Sequence, residues 1–277
     1  MAVTADVVER AVWAALAEDV GEGDVTTEAT VDPGAVGSAT LLLREPGVVC
    51  GLRAAEAVFR ALAPDVRFEP LLAEGALVED APAAVALVTG SEQAILTGER
   101  TALNFLGRLS GIATLTHRYV DAVAGTGVAI LDTRKTTPGL RALEKHAVQC
   151  GGGRNHRFGL DDGVLVKDNH LRAAGSVSAA VERLRAATDL PLEVECDTLA
   201  QVEEALGAGV DAILLDNMGL HEMRAAVALA GGRVRLEASG GVTLETVGAI
   251  AETGVDEISV GALTHSARSL DVSLELQ

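Results

Sequence analysis

The sequence is poor in cysteine, in aromatic residues and in long apolar runs, and each shortage excludes a class of protein. Its three cysteines, an odd number without CxxC spacing, favour a reducing cytoplasm and argue against a zinc site. Aromatic residues make up 2% of the chain, so we do not expect stacking surfaces for nucleic-acid bases. No apolar run reaches about 18 residues, and the N-terminus is amphipathic and carries acids, so neither a membrane span nor a signal peptide is expected.

Positive charge is also scarce, with 22 Lys and Arg against 40 Asp and Glu and a formal net charge of −18. This balance argues against nucleic-acid binding, because no long basic surface remains outside one stretch. That stretch, residues 134–172, holds all three lysines, and its eight basic residues stand against four acids. Arg134, Lys135 and Lys167 stand where apolar, strand-like runs end, and α/β folds bind ligands at such ends. We therefore predict a pocket for a small polyanion; a solvated basic face is the alternative.

The first 110 residues show helical and strand-like patterns without regular alternation. Apolar spacing predicts helices over residues 4–18, capped by Thr4, and over about 53–63. Strand-like runs bounded by Pro and Gly lie at 38–44, 47–51, 66–70 and 85–89. This mixture predicts an α+β domain over residues 1–110.

A long helical pattern connects this domain to the next part of the chain. It begins after Ser91 and continues to about residue 123. Gly98, Gly107 and Gly111 weaken the pattern, because glycine disfavours helix interiors. We therefore predict a break near Ser110–Gly111 and place the domain boundary there.

From residue 128 onward, strand-like and helical patterns alternate. The strand-like runs lie at 128–132, 163–167, 192–196, 212–216, 234–238 and 257–260. Helical patterns lie at 176–188, 198–208, 220–230 and 243–253, and Thr198 with Gln201 has the form of a capping box. Such alternation predicts parallel strands with crossover helices. About 150 residues are too few for a complete eight-fold barrel, so we predict a compact or incomplete α/β barrel over residues 111–265.

Acidic side chains stand at the ends of two neighbouring predicted strands. Glu195 lies at the end of LEVEC, and Asp216 ends AILLD. Two such carboxylates, together with substrate phosphate oxygens, are ligands that Mg²⁺ prefers. The alternative is that Glu195 and Asp216, like Glu193 and Glu237, are hydrogen-bond partners of Arg or Lys inside the barrel.

Short glycine turns follow the last two predicted strands. Ser239, Gly240 and Gly241 follow one strand, and Gly261 follows the other, each before a helical pattern. Backbone N–H groups at helix starts bind phosphate, often after the closing strands of a barrel. The residues alone therefore predict a small polyanionic substrate, a phosphate site and Mg²⁺. That set fits phosphoryl or phosphoribosyl transfer and does not choose between them.

Longer motifs resemble those of one family. The stretch LDTRKTTPGLRALEKHAVQCGGGRNHRFGLDDGVLVKDNH, with ERTALNFLGRLSGIATLT upstream and LEVEC, ILLDNM, EASGG and ISVGALTHS downstream, closely resembles the quinolinate phosphoribosyltransferases. The resemblance covers essentially the whole chain. It implies an N-terminal α/β sandwich domain, joined by the tail 266–277, and a C-terminal incomplete α/β barrel of about seven strands.

The resemblance also implies an activity and an assembly. The reaction transfers phosphoribosyl from 5-phosphoribosyl-1-pyrophosphate to quinolinate with decarboxylation, giving nicotinate mononucleotide, pyrophosphate and CO₂ in NAD biosynthesis. The implied cofactor is Mg²⁺. The implied assembly is a homodimer with shared active sites, or a hexamer built from such dimers.

Each matched residue has an implied role. The two carboxylates of quinolinate would be bound by Arg134, His156, Arg157 and Lys167, with Arg100 reaching the pocket of the partner subunit. The catalytic residues would be Lys135, at the phosphoribosyl donor or pyrophosphate, and Glu195 and Asp216, at the ribose and Mg²⁺. The 5-phosphate site would consist of Ser239, Gly240, Gly241, Gly261 and His265.

Cys150 and Cys196 are expected to be buried packing residues, since neither shows a convincing base partner.

Two alternatives stay open. One is a related phosphoribosyltransferase that acts on nicotinate, or the homologue associated with molybdenum transport. Nicotinate has one carboxylate, so several basic side chains around the ring argue for the diacid. The other alternative is a non-catalytic anion-binding barrel, which has no need for acids that face its anion.

Overall fold

A computed structural model describes residues 4–277. These residues form two compact units. The first contains the described residues up to His117 together with 136–152 and 262–277, and the second contains 118–135 and 153–261. Within residues 4–277, no helix is both long enough and apolar enough to cross a membrane.

The helices and strands are numbered along the chain. The helices are α1 (Ala5–Asp19), α2 (Val25–Thr30), α3 (Leu52–Leu62), α4 (Glu92–Ala122), α5 (Arg141–Cys150), α6 (Asp168–Ala174), α7 (Val177–Ala187), α8 (Leu199–Ala208), α9 (Leu220–Ala230), α10 (Val247–Ala251) and α11 (Ala262–His265). The strands are β1 (Val36–Leu43), β2 (Gly47–Val48), β3 (Arg67–Pro70), β4 (Leu77–Val78), β5 (Ala83–Ser91), β6 (Ala129–Leu131), β7 (Val164–Val166), β8 (Leu192–Cys196), β9 (Ala212–Asp216), β10 (Arg235–Ser239), β11 (Glu257–Ser259) and β12 (Val272–Leu276). Most predicted elements are confirmed, with ends that differ by a few residues.

Helix caps show where short-range sequence patterns succeed and where they fail. The capping box of Thr198 and Gln201 at the start of α8 is confirmed. Thr4 occupies the N-cap position of α1, but its side chain makes no capping hydrogen bond. Asp24 caps the unpredicted helix α2 by accepting a hydrogen bond from the Thr27 N–H at 3.0 Å. Helix α2 has only six residues, which is too short to show a helical period in the sequence.

The first unit contains a four-stranded antiparallel sheet in the order β12-β1-β5-β3. Alternate residues of β1, namely Ala39, Leu41 and Leu43, are buried, which is the period of a strand with one face on the core. β12 pairs with β1 in the register Leu41↔Leu274. The C-terminal strand is therefore part of the fold of this unit.

The long helix α4 runs without a break for 31 residues, so the predicted break near Ser110–Gly111 is wrong. A Cβ atom on Gly111 would overlap the carbonyl oxygen of Arg268, and one on Gly107 would lie 2.9 Å from that of Leu270. These glycines allow the C-terminal segment to approach the helix closely. Glycine costs about 1 kcal/mol in a helix interior, and this packing offsets that cost.

The second unit contains a parallel sheet of six strands in the order β6-β11-β10-β9-β8-β7. Helices α6 to α10 connect β7 through β11, as parallel strands require. Arg154 adds one parallel bridge to Leu131 beside β6, so the described residues form six strands and one bridge where about seven strands were expected. The sheet is open, with β6 and β7 at its edges. This architecture confirms the predicted fold class, an N-terminal sheet domain and a C-terminal incomplete α/β barrel.

Candidate active site

The carboxyl ends of the parallel strands form one edge of the second unit. Lys167 follows β7, and Glu195 is the penultimate residue of β8. Asp216 and Ser239 end β9 and β10 and face each other in the register of the sheet. Parallel strands end on the same side, so the structure places these four predicted site residues at one edge.

Lys167 and Glu195 form an ion pair at this edge. The Nζ atom of Lys167 lies 2.6 Å from Oε2 of Glu195, and the side chains are 48% and 10% exposed. The pairing of Glu195 with a basic residue, which was the alternative to a metal role, is therefore found in the structure. Its role as a metal ligand stays a prediction.

Asp216 lies within electrostatic reach of the same pair. Burial raises the pKa of Asp216 above its ordinary value, and the negative charge of Glu195 raises it further. Nδ2 of Asn217 donates a hydrogen bond to Oδ2 of Asp216 at 2.6 Å, which opposes part of that shift. A divalent cation would relieve the repulsion between the two carboxylates, so their arrangement fits a hard ion such as Mg²⁺.

The turn after β10 depends on its glycines. Gly240 and Gly241 have φ angles of 94° and 60°, in the left-handed region that favours glycine. A Cβ atom on Gly240 would overlap Oδ1 of Asn217. The expected helix start directly after this turn is wrong, because α10 begins only at Val247 and has five residues. The backbone groups available after β10 therefore belong to the turn itself and not to a helix N-terminus.

His156 lies in a buried cluster with two carboxylates. Its Nε2 atom is 3.0 Å from Oε2 of Glu193 and 3.3 Å from Oε2 of Glu237, and only the first contact has the geometry of a hydrogen bond. Glu193 and Glu237 are 6% and 1% exposed. The alternative to a metal role gave these two carboxylates Arg or Lys as partners, but the basic side chain beside them is that of His156. Acidic residues alternate with apolar ones in LEVEC, so Glu193 and Glu195 share one face of β8. This alternation could have indicated that Glu193, like Glu195, belongs to the site.

Arg134 and Arg157 lie close enough for their charges to interact. Burial lowers the pKa of Arg157, and the positive charge of Arg134 lowers it further. Nη1 of Arg157 donates a hydrogen bond to the carbonyl oxygen of Gly163 at 3.0 Å, which fixes the side chain. An anion with two carboxylates would remove this repulsion, because each guanidinium can bind one carboxylate.

His156 and Arg157 line one cavity of the second unit. The starts of five strands also line it, at Val164, Leu192, Ala212, Arg235 and Glu257. Lys167, Glu195, Asp216 and Ser239 do not line it. The structure thus separates the predicted residues of this unit into a strand-end group and a cavity group.

Asp132 positions the segment that carries His156. It is fully buried, and its carboxylate accepts hydrogen bonds from Nδ2 of Asn155 at 2.6 Å and from the backbone N–H of His156 at 2.8 Å. Sequence reasoning missed this role, although Asp132 lies only two residues before Arg134. A buried carboxylate that accepts such bonds fixes the backbone around it.

The remaining predicted residues are more exposed. Lys135 is exposed, and its backbone N–H donates to Oγ1 of Thr133 at 3.0 Å. Gly261 follows β11 in the second unit. Arg100 on α4 and His265 at the end of α11 are exposed residues of the first unit.

The two cysteines beside the motifs differ. Cys196 is fully buried, and burial raises its pKa to about 12, so its predicted packing role is confirmed. The prediction for Cys150 is wrong, because its Sγ atom lies 3.5 Å from Nε2 of His146 on the same helix. A hydrogen bond with Cys50, followed by that with His146, lowers the pKa of Cys150 to about 6. The i, i+4 spacing of His146 and Cys150 could have indicated this contact, because such residues are neighbours on a helix surface.

The charge of His156 gives a testable pH dependence. Burial lowers its pKa, but the hydrogen bond with Glu193 and the charge of Glu237 outweigh burial and raise the pKa to about 10. The backbone N–H of Arg157 donates a hydrogen bond to Nδ1 of His156 at 2.7 Å, which opposes protonation of Nδ1. The two carboxylates outweigh this effect, because one amide dipole interacts with the ring more weakly than two charges do. Because the folded-state pKa exceeds the unfolded value of about 6.5, the stabilisation is complete below pH 6.5 and is lost as the pH rises through about 10.

We therefore expect the difference in Tm between the wild type and His156→Gln to be largest near pH 6 and to shrink up to pH 10. Thermal unfolding followed by circular dichroism measures that difference. His221→Gln, at an exposed position of α9, is the matched control and should show a small, constant difference. A His156→Gln difference that stays constant over this range would contradict the ion pair.

The fold and its charged strand ends define an enzyme of the α/β-barrel class. The family model of the quinolinate phosphoribosyl transferase N-terminal domain matches residues 24–110, and that of the C-terminal domain matches residues 112–275. The chain therefore belongs to the quinolinate phosphoribosyltransferases, a family of pentosyltransferases.

Individual relatives agree with this assignment. The chain is 47% identical over 266 residues to a probable nicotinate-nucleotide pyrophosphorylase (carboxylating) of Synechocystis sp., covering 94% of this chain and 90% of the relative. It is 45% identical over 269 residues to the nicotinate-nucleotide pyrophosphorylase (carboxylating) of Mycobacterium leprae, covering 95% and 94%. The solved nicotinate-nucleotide pyrophosphorylase of Francisella tularensis has a TM-score of 0.96 at 39% identity, covering 100% of this chain and 98% of that one. The family inferred from the motifs is confirmed.

Proposed function

We propose that the protein transfers phosphoribosyl from 5-phosphoribosyl-1-pyrophosphate to quinolinate and releases CO₂, giving nicotinate mononucleotide and pyrophosphate for NAD biosynthesis. The observation that carries the choice of substrate is the pair Arg134 and Arg157, whose mutual repulsion suits a dicarboxylate. Family membership supports the reaction type. The three cysteines form no disulfide, which agrees with a reducing cytoplasm as its location.

Quinolinate would be bound mainly by charge. Arg134 and Arg157 would each take one carboxylate, and Lys167, with its half-exposed ammonium group, would add a third positive charge from the strand-end group. His156 lines the same cavity as Arg157, and its protonated ring balances Glu193 and Glu237. Orientation of the ring nitrogen toward the sugar is the main task of these groups.

The transferred sugar would be stabilised by carboxylates. As the bond from ribose to pyrophosphate breaks, positive charge develops on the ribosyl carbon and ring oxygen, and Glu195 and Asp216 would stabilise it. The same two carboxylates would hold Mg²⁺, which supplies charge neutralisation to the departing pyrophosphate. Lys135 would contact that leaving group, and Ser239, Gly240, Gly241, Gly261 and His265 would bind the 5-phosphate.

Decarboxylation would follow from the new bond itself. Attack by the ring nitrogen leaves that nitrogen positive, and pyrophosphate carries away the bonding pair. The carboxylate on the neighbouring carbon then leaves as CO₂, and its electron pair stays on that carbon beside the positive nitrogen. A proton taken up at this carbon completes the product.

An assay with labelled quinolinate tests this proposal. Quinolinate labelled in the carboxylate next to the ring nitrogen should release labelled CO₂ only when the phosphoribosyl donor and Mg²⁺ are both present. Nicotinate in its place should give little nucleotide. Turnover of nicotinate without turnover of quinolinate would favour the related enzyme, and binding of both substrates without any product would favour a non-catalytic barrel.

We also propose a homodimer in which Arg100 serves the site of the partner subunit, with a hexamer as a higher assembly. Arg100 is exposed on α4, so its guanidinium is accessible to another chain. A two-fold dimer would then contain two identical shared sites. In equal mixtures of Arg100→Ala and Lys135→Ala subunits, random exchange should leave about a quarter of all sites intact. Recovery of no activity after verified exchange would place Arg100 in its own site or in none.

A further inference from the structure

Four potential metal ligands converge in the first unit, apart from the residues assigned to substrate, phosphate or Mg²⁺. They are the Sγ atoms of Cys50 and Cys150, Nε2 of His146 and a carboxylate oxygen of Glu74, all within 4.8 Å of one another. His146 and Cys150 lie one turn apart on α5, whereas Cys50 precedes α3 and Glu74 precedes β4. The cluster thus joins three separate segments of this unit.

Three distances in this cluster match the edges of a tetrahedron around one metal ion. Zinc binds Cys sulfur at about 2.3 Å and His nitrogen or carboxylate oxygen at about 2.0–2.2 Å, which gives ligand-to-ligand edges of about 3.3–3.8 Å. Sγ of Cys150 lies 3.5 Å from Nε2 of His146 and 3.8 Å from Oε2 of Glu74. Nε2 of His146 lies 3.6 Å from Oε2 of Glu74. Three ligand atoms therefore already have the spacing that zinc requires.

Surrounding hydrogen bonds hold the ligands in place. The Glu74 carboxylate accepts from the backbone N–H of Gly51 at 3.2 and 3.1 Å and from that of Arg53 at 3.2 Å. Cys50 is fully buried, and both its N–H and its carbonyl oxygen bond to Oγ of Ser110 at 2.9 Å. Such outer hydrogen bonds orient metal ligands and raise metal affinity.

We propose that Cys50, Glu74, His146 and Cys150 bind one Zn²⁺ ion in a closed structural site. Two thiolates and an imidazole select zinc over Mg²⁺, which prefers oxygen ligands alone. All four positions belong to the protein, so no position remains for water or substrate, and the ion stabilises the fold. The missing CxxC spacing does not exclude this site, because the fold brings together cysteines 100 residues apart in the sequence.

Metal titration of the full-length protein tests the site. The reduced, chelator-treated wild type should bind one Zn²⁺ per chain by elemental analysis and show a higher Tm with zinc than without. With Co²⁺ it should develop thiolate-to-cobalt charge-transfer absorption together with the intense visible bands of tetrahedral cobalt, and Zn²⁺ should abolish both. The double variant Cys50→Ser/Cys150→Ser should lose the bound ion and the absorption.

Cys196→Ser is the matched control, because Cys196 is a buried thiol of the second unit outside the cluster. It should keep one Zn²⁺ per chain and the cobalt spectrum. Wild-type protein that binds no zinc, or cobalt-loaded wild type without charge-transfer absorption, would overturn the site. Equal zinc binding by the double variant would show that the bound metal is adventitious, and it would also overturn the site.

The proposal can also be tested without the double variant. If that variant does not fold, the wild-type cobalt spectrum and Glu74→Gln, which should weaken zinc binding by at least tenfold, decide the question. A Cys50–Cys150 disulfide that is already present in protein purified without oxygen and that, once reduced, yields thiols that bind no zinc would overturn the proposal. All these readouts are independent of quinolinate turnover.

Discussion

Replacing Glu195 with Gln is expected to lower kcat by about 10²–10³-fold while changing the apparent affinity for quinolinate much less, as for other groups that stabilise transition-state charge. The carboxylate would act on the ribosyl cation and on Mg²⁺, which matter most as the bond to pyrophosphate breaks. Gln keeps the size of the side chain and removes its charge. Steady-state kinetics at saturating donor and Mg²⁺ measure the effect.

The ion pair with Lys167 makes a sharper version of this test possible. Lys167→Met should raise KM for quinolinate more than it lowers kcat, because Lys167 is assigned to the substrate carboxylate. The double variant shows whether the 2.6 Å contact couples the two effects. Arg172→Ala removes a basic side chain of the same stretch that is 78% exposed, and it should behave as the wild type. Wild-type kcat in Glu195→Gln would remove Glu195 from the reaction.

Replacing Arg108 with Met is expected to lower the free energy of unfolding by about 3–5 kcal/mol, the usual cost of leaving a buried charge without its partner. Glu144 is fully buried, and its Oε1 atom accepts from Nη2 of Arg108 at 2.8 Å and from Nε at 3.2 Å. Nη2 of Arg108 also donates to the carbonyl oxygen of Thr264, and Nη1 to that of Ala267 at 2.7 Å. One guanidinium thus joins α4, α5 and the C-terminal segment of the first unit.

Urea unfolding measures this loss. Arg10→Met is the control, because the ion pair of Arg10 with Asp6 is 2.7 Å long but 69% and 72% exposed. Its removal should cost less than about 1 kcal/mol, as for other surface pairs. The double variant Arg108→Met/Glu144→Gln should be more stable than the single Arg108→Met variant, since it no longer buries a charged carboxylate whose guanidinium partner has been removed. An Arg108→Met variant as stable as Arg10→Met would show that the network contributes little.

Local patterns in the sequence determined much of this protein. The alternation after residue 128 predicted the parallel sheet, and the ends of its strands predicted where Lys167, Glu195 and Asp216 lie. Such predictions succeed because helix and strand periods depend on neighbours a few residues apart, and because parallel strands must end together. The motifs were specific enough to indicate the family as well.

Only the tertiary structure decided which residues became partners. Helix α4 is unbroken although it contains glycines, which have a low helix propensity. The C-terminal segment packs against these glycines, and a sequence pattern does not show that contact. Glu193 and Glu237 come from separate strands to reach His156, and Cys50 meets Cys150 across 100 residues of sequence. No local pattern encodes such pairs, because burial and charge pairing between distant segments exist only once the chain has folded around them.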